Sequence, residues 1–447
     1  MSMRTLPALC LFVLSAAAAA AVEVEIPFES FRLDNGLRVL LHANHEAPVV
    51  STYVLYHVGS KNERPDRTGF AHFFEHLMFE GARHIERGRI DKLVSAAGGN
   101  LNASTSHDRT DYYLNLPANE LELALWIESE RMLHAQIDET GVETQREVVK
   151  EERRARYENQ PYGSIYENMA KLAFAGTPYE WTPIGSEQYI DQATIEEFRA
   201  FYRQWYVPNN AILSIAGAID LERAERLVRR YFGGIPAGDP PPRPRFAFDL
   251  EAPGRTLEVV EPATPLPAAV SVWRAPPLTR PDAYALELLI GILAEGKSSR
   301  LYRRLVDVEQ AAVNASAFAR LYEKAGLVAA FAIGNQGVTL DRLDALVAEE
   351  VARLREEGPT EEELTKAINQ KETEIASSLG TMARRAAALA HYEQWFGDAS
   401  MIESELDRYR EVTLEDVRRA ARVYLAPERR NVLRYPVPGP PPASASK

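Results

Sequence analysis

The chain has 447 residues, enough for two to four domains at about 150 residues each, and its 46% apolar content can fill more than one core. Charged residues at 26% exclude a collagen-like or wholly disordered chain, and 51 basic against 64 acidic residues, a net charge of −13, argue against a general nucleic-acid binder with its basic surface. A single cysteine, Cys10, excludes a disulfide framework and a Cys-based zinc site, so any metal must be held by His and carboxylates.

Residues 1–22 read as a signal peptide: Arg4 is the positive start, Leu6 to Ala21 are apolar, and an Ala-x-Ala pattern near Ala19–Ala21 suits cleavage. No later run approaches the ~20 apolar residues of a membrane span. The expected mature protein is therefore exported, to a periplasm or the medium, without stable membrane insertion. Residues 23–237 are expected to form a first domain. Within it Phe31–His42 reads as a hairpin turning at Asp34-Asn-Gly36. A strand is expected after Pro48, running through Tyr56. Asn119–Ala135 reads as a helix with Leu121, Leu125, Ile127 and Met132 among its apolar positions. Residues 238–250 are a Pro-rich linker, since Pro-Pro-Pro-Arg-Pro can be neither helix nor central strand. Residues 251–435 are expected to form a second domain. The tail 436–447, rich in Pro, Ala and Ser, reads as disordered.

The two expected domains echo each other. Pro48 and Pro267 precede similar strand-like segments and are 219 apart. Thr194 and Thr413, each followed by acids in a first helical turn, read as N-caps and are also 219 apart, as are Pro208 and Pro427. Recurrence at one offset indicates a duplicated unit. Short strands and hairpins mixed with long amphipathic helices predict α+β domains.

The chemistry is concentrated in His72-Phe-Phe-Glu75-His76. On a helix, residues i and i+4 share a face with Cβ atoms roughly 6 Å apart. Two imidazoles so placed can grip one Zn²⁺ at about 2.0–2.1 Å. Glu75, on nearly the same face, can take a proton from a water polarised by the metal. Phe73 and Phe74 are left to anchor the helix. A catalytic zinc usually takes three protein ligands, and the third is expected from the run beginning Gln145-Arg-Glu-Val-Val, whose Val148 and Val149 suggest a packed face. On chemistry alone Glu147, Glu151 and Glu152 all qualify. His42, His45, His57, His84, His107 and His134 have no partner at ligand spacing and read as ordinary surface or core residues.

Taken together, HxxEH, the acidic helix some 76 residues on, Gly98-Gly-Asn-Leu-Asn-Ala-Ser-Thr105, Arg109-Thr-Asp-Tyr-Tyr113 and Glu130-Arg-Met132 resemble the M16 (pitrilysin/insulinase) zinc peptidases, an inverted-zincin class. The likeness is greatest to their short bacterial and mitochondrial-processing-peptidase-like branch and runs from about Phe28 to Tyr435. It implies two homologous α+β domains of the processing-peptidase type, each a mainly antiparallel sheet flanked by helices. It implies one Zn²⁺ per chain on His72, His76 and Glu152, with Glu75 as general base; Glu152 is preferred because it falls 76 positions after His76. The strand Gly99–Ser104 would pair with an extended peptide substrate, Asn102 and Ala103 offering main-chain hydrogen bonds.

Two departures stand out against this resemblance. The family often has an acid seven residues before the third ligand, and here that residue is Gln145. Complete members bring an Arg and, seven residues later, a Tyr from the C-terminal domain to the oxyanion. Those positions fall on Val306 and Val313, which cannot donate a hydrogen bond. Arg300 and Tyr302 stand nearby at the wrong spacing, and the second half, with only His391, cannot repeat HxxEH. The resemblance therefore implies a zinc metalloendopeptidase of peptides or unfolded segments, acting in an enclosed chamber as the zinc-bearing subunit of a heterodimer whose homologous partner supplies Arg and Tyr. A self-sufficient monomer or homodimer, and a non-catalytic assembly subunit, are the alternatives.

Overall fold

The computed structural model describes residues 24–438; the expected signal peptide with Cys10, and the expected tail from residue 439, lie outside the described residues. The first sheet contains β1 (Glu29–Arg32), β2 (Arg38–Ala43), β3 (Val49–Tyr56), β4 (Asn100–Thr105), β5 (Thr110–Pro117) and β6 (Ala211–Gly217), in the order β1-β2-β6-β3-β5-β4. The second contains β7 (Thr256–Glu258), β8 (Ala268–Ala275), β9 (Ala312–Leu321), β10 (Gly326–Gly334) and β11 (Asn431–Tyr435), in the order β7-β11-β8-β10-β9. Without β1, the first order is the second. The parallel pair β2/β6 is matched by the parallel pair β7/β11, and every other pairing is antiparallel.

The duplication extends to single residues. Strands β3 and β8 begin at Val49 and Ala268, and the helices Ile195–Trp205 and Leu414–Tyr424 begin at Ile195 and Leu414; both separations are 219. Each helix opens with a capping box, Thr194 with Glu197 and Thr413 with Asp416. In such a box the side chains satisfy two otherwise orphaned N–H groups, and losing the cap costs about 1 kcal/mol. The expected hairpin is β1/β2, with Gly36 at φ +90° in its turn, a conformation that suits glycine.

The central strands of each sheet are buried on both faces, and the cover is exchanged between the halves. In the first sheet Val39, Leu41, Val54, Leu213 and Ile215 face a core shared with the helices Phe70–Leu77, Leu121–His134 and Ile195–Trp205. The opposite face, with Leu40, Tyr53, Leu55, Ile212 and Ala216, packs on Ala386, Leu389 and Ala390 of the helix Met382–Phe396, from the far end of the chain. Reciprocally, Ala268, Val270, Val272 and Leu433 of the second sheet pack on Met169, Leu172 and Ala173 of the helix Ile165–Ala173, from the first half. Strands covered on both sides become apolar without alternation; β6, buried at all seven positions, is the extreme case.

A polar cluster joins the halves beside these helices. Glu323, in the β9–β10 turn, pairs with Lys61 and with His57 (2.6 Å). Lys61 also pairs with Asp108 (2.7 Å), which accepts from the Tyr179 hydroxyl (2.6 Å) and from the Glu323 N–H (2.8 Å). Gln394 of the Met382–Phe396 helix reaches His57 Nδ1 at 2.8 Å. The Pro-rich stretch lacks regular structure and is pinned here, Arg243 donating to the His57 carbonyl (2.8 Å) and to Asn210 Oδ1 (2.7 Å). Among the described residues no helix is long and apolar enough to cross a membrane.

Candidate metal centre

The helix Phe70–Leu77 begins at Gly69 (φ +100°), which has no side chain to cap it. Glu63, from the preceding loop, does so instead. Its carboxylate accepts from Ala71 N–H (2.7 Å), Gly69 N–H (2.9 Å) and the Trp181 indole (3.1 Å). Burial pushes this carboxyl up to about 8, against the pull of those donors. Phe73 and Phe74 are fully buried and stack on Phe198 (4.5 Å between centroids) and Phe201 (5.3 Å). With cap and phenyl rings fixed, His72 and His76 turn to the helix Glu139–Arg153, their rings 4.8 Å apart.

The Glu139–Arg153 helix is capped by Asp138, which accepts from Gly141 N–H (2.8 Å). Only one of the two valines packs: Val149 is buried, whereas Val148 is exposed, because adjacent helical residues cannot share a narrow face. Glu147 and Glu151 stand out in solvent, with side chains 70% and 71% exposed, whereas Glu152 is 18% exposed. Glu152 Oε2 lies 3.5 Å from His72 Nε2 and 3.2 Å from His76 Nε2. Donors about 2.1 Å from one tetrahedral zinc would be roughly 3.4 Å apart, so these separations fit the edges of such a site. The three donor atoms lie within 4.8 Å of one another, and among the described residues no other His, Cys, Asp or Glu group is so arranged.

The surroundings hold the donors in place. Burial raises the Glu152 carboxyl, but the hydrogen bonds to His72 and His76 and the charge of Arg156 outweigh it and hold it well below the usual carboxylate range. Arg156, one turn on, sits 2.8 Å from Glu152 Oε1, leaving Oε2 to the imidazoles. Gln145 Oε1 lies 3.2 Å from His76 Nδ1. Glu75, half-buried, precedes His76 on the same helix, and its carboxylate makes no hydrogen bond or ion pair with another described residue.

Strand β4, carrying Asn102 and Ala103, is the outer strand of the first sheet and lies against the Phe70–Leu77 helix. Ala103 is opposite Tyr112 on β5, and its N–H is taken by the Asn102 side chain at 2.9 Å. In the second half, Val313 is the second residue of β9 and is half exposed, while Val306 packs partly against the second core. Arg300 is committed to that half, bonding Glu363 with two nitrogens (2.7 Å each) and the Gly358 carbonyl (2.9 Å). His391 is half-buried, its Nε2 3.1 Å from the Tyr53 hydroxyl. Sequence reasoning missed Glu63, Glu80 and Arg156. Arg156 stood at i+4 from Glu152, a readable signal; Glu63 and Glu80 carry no spacing that marks them.

Comparison with known proteins decides the ancestry. A profile described as "Insulinase (Peptidase family M16)" matches residues 38–185, and one described as "Peptidase M16 inactive domain" matches residues 192–371. Zinc protease PqqE of Helicobacter pylori is 32% identical over 368 residues, 81% of this chain and 83% of that one. The chain belongs to the M16 peptidase family. The crystal structure of a protease from Helicobacter pylori superposes with a TM-score of 0.88 at 28% identity, covering 92% of this chain and all of that one. A chain of Arabidopsis thaliana named "Probable mitochondrial-processing peptidase subunit beta" is 25% identical, covering 77% of this chain and 66% of its own length. The α+β fold of two M16 domains is thus the family's own.

Proposed function

We propose that this chain is a zinc metalloendopeptidase and the metal-bearing subunit of a heterodimer. The observation that carries the reading is the convergence of His72, His76 and Glu152, with Glu75 on the same helix as the two histidines and its carboxylate unpaired among the described residues. Zinc bound by these three residues would supply Lewis-acid polarisation at the scissile carbonyl and the attacking water. Glu75 takes the proton from that water and returns it to the leaving amine nitrogen. The outer edge of β4 receives the peptide as an added strand, for which the Asn102 side chain must release the Ala103 N–H it covers. The strand reads main chain, so extended peptides and unfolded segments are the substrates, and a chamber closed by a partner's domains would favour them.

The two positions at which the resemblance places the oxyanion donors carry none. Val306 and Val313 cannot donate, and Arg300 is held by Glu363. A homologous subunit bearing Arg and Tyr would complete the site, and the relative named as a subunit beta supports such a pairing. The N-terminal pattern of residues 1–22 supports export to the periplasm or the medium. A purely structural subunit would need none of this donor set. The test is a mixing assay with an unfolded peptide reporter: slow turnover by the chain alone and a large rise with a homologous Arg/Tyr subunit are expected. Strong peptidase activity from the chain alone would remove the need for a partner, and no activity in either case would remove the peptidase reading.

A further inference from the structure

Gln145 occupies a position where a carboxylate is expected, yet it touches a metal donor. The acid is one step further out. Gln145 Nε2 donates to Glu80 Oε1 at 2.6 Å, and Glu80, buried, pairs through its other oxygen with Arg87 (2.7 Å). Arg87 also pairs with Asp138 (2.6 Å), the cap of the helix that carries both Gln145 and Glu152. Gly141, one turn before Gln145, makes room for this pair: a Cβ there would stand 3.2 Å from the Arg87 guanidinium and 3.3 Å from Glu80 Cγ.

Each contact in this chain of groups fixes the next. A carboxylate accepts and does not donate, so the amide must turn its nitrogen to Glu80. Its oxygen then faces His76 Nδ1, 3.2 Å away, and an oxygen requires a proton there. With the proton on Nδ1, Nε2 keeps its lone pair for a metal; with no metal bound, Glu152 Oε2, 3.2 Å from Nε2, competes for a proton there. His72 has no such tether, its buried Nδ1 lacking a partner among the described residues. We infer that Glu80, acting through the Gln145 amide, holds His76 in the tautomer that offers Nε2 to the metal. Glu80 and Gln145 are positioning residues. The relay also accounts for the glutamine: a carboxylate at 145 would stand against that of Glu80, where the amide instead donates. Loss of a side chain that hydrogen-bonds a metal-ligating imidazole typically changes metal affinity by about 10–100-fold.

The inference rests on the zinc reading, but the tautomer of His76 can be read without metal, so the two fail separately. The experiment compares the full chain with Glu80→Gln, Gln145→Leu and the exchange variant Glu80→Gln/Gln145→Glu, each checked for folding by thermal melting. Long-range ¹H–¹⁵N spectra of histidine-labelled protein, at a pH where the imidazole is neutral, report the tautomer; chelator competition reports Zn²⁺ affinity. With Glu152→Ala added for the tautomer spectra alone, to remove the competing acceptor at Nε2, the otherwise native chain should show Nδ1–H at His76. Glu80→Gln frees the amide to flip, giving mixed tautomers and roughly tenfold weaker zinc binding. The exchange variant should restore both, because a carboxylate then meets Nδ1 directly. A Glu80→Gln protein with an unchanged tautomer and unchanged zinc affinity overturns the relay, as does an exchange variant no better than Glu80→Gln alone. Gln145→Leu leaves the Glu80–Arg87 pair intact; should Glu80→Gln not fold, native behaviour in Gln145→Leu overturns it equally.

Discussion

The two halves share a sheet order and capped helices 219 residues apart, yet differ in one helix. After β3 comes Phe70–Leu77, with His72, Glu75 and His76 on one side. After β8 comes Asp282–Ala294, which buries Ala283, Ala285, Leu286, Leu288, Leu289, Ile290, Ile292 and Leu293. Its mid-helix acid, Glu287, is occupied by Lys371 (3.3 Å) and the Tyr409 hydroxyl (2.7 Å). One frame thus carries a reactive face in the first half and a sealed one in the second. Function lies in a few side chains placed on the frame, and the frame is indifferent to which set it holds.

The largest expected effect removes the reactive group and leaves the frame alone. Glu75→Gln should keep its zinc, by metal analysis after dialysis, and lose about 10²–10⁴-fold in turnover, the usual contribution of a general base; full turnover would place the base elsewhere. Next, Leu389→Ala breaks the exchange of cover between the halves. Leu389 is buried from the second half against the first sheet, and the cavity should cost about 2–5 kcal/mol. Urea unfolding followed by probes in both halves should show one shared transition; two separate ones would mean that the halves are independent.

The junction is expected to be acid-sensitive. Burial pulls His57 and His107 down to about 4 and His391 to about 3. Unfolded imidazoles titrate near ~6.5, so between that value and about 4 the unfolded chain binds more protons. The contribution of these three histidines is therefore complete above ~6.5 and falls on acidification through this window. Melting temperature against pH should show the loss, and His57→Gln should shallow its slope; an unchanged slope would mean that His57 carries no charge difference. The smallest effect on stability is expected from Val306→Arg/Val313→Tyr, about 1 kcal/mol or less because Val313 is half exposed. If the second half lacks only its donors, this variant's peptidase rate should rise without a partner subunit.

The duplication was readable because both copies kept their caps and prolines at one offset. The exchange of helices was not, since a contact between Leu389 and β6 leaves no local pattern, and strands buried on both faces lose the alternation that reveals a side. In the site, helical spacing found His72, Glu75 and His76. Glu152 could be chosen among three acids only through the family likeness; in the structure exposure separates it, with Glu147 and Glu151 in solvent. Glu63 caps the helix from outside it, and Glu80 reaches His76 through another side chain. Neither has a periodicity to read.

The central claim is best tested by X-ray diffraction from zinc-soaked crystals at energies on either side of the zinc absorption edge. The account predicts one anomalous peak per chain, about 2.0–2.2 Å from His72 Nε2, His76 Nε2 and a Glu152 oxygen. A peak elsewhere, or none at these three residues, would contradict it.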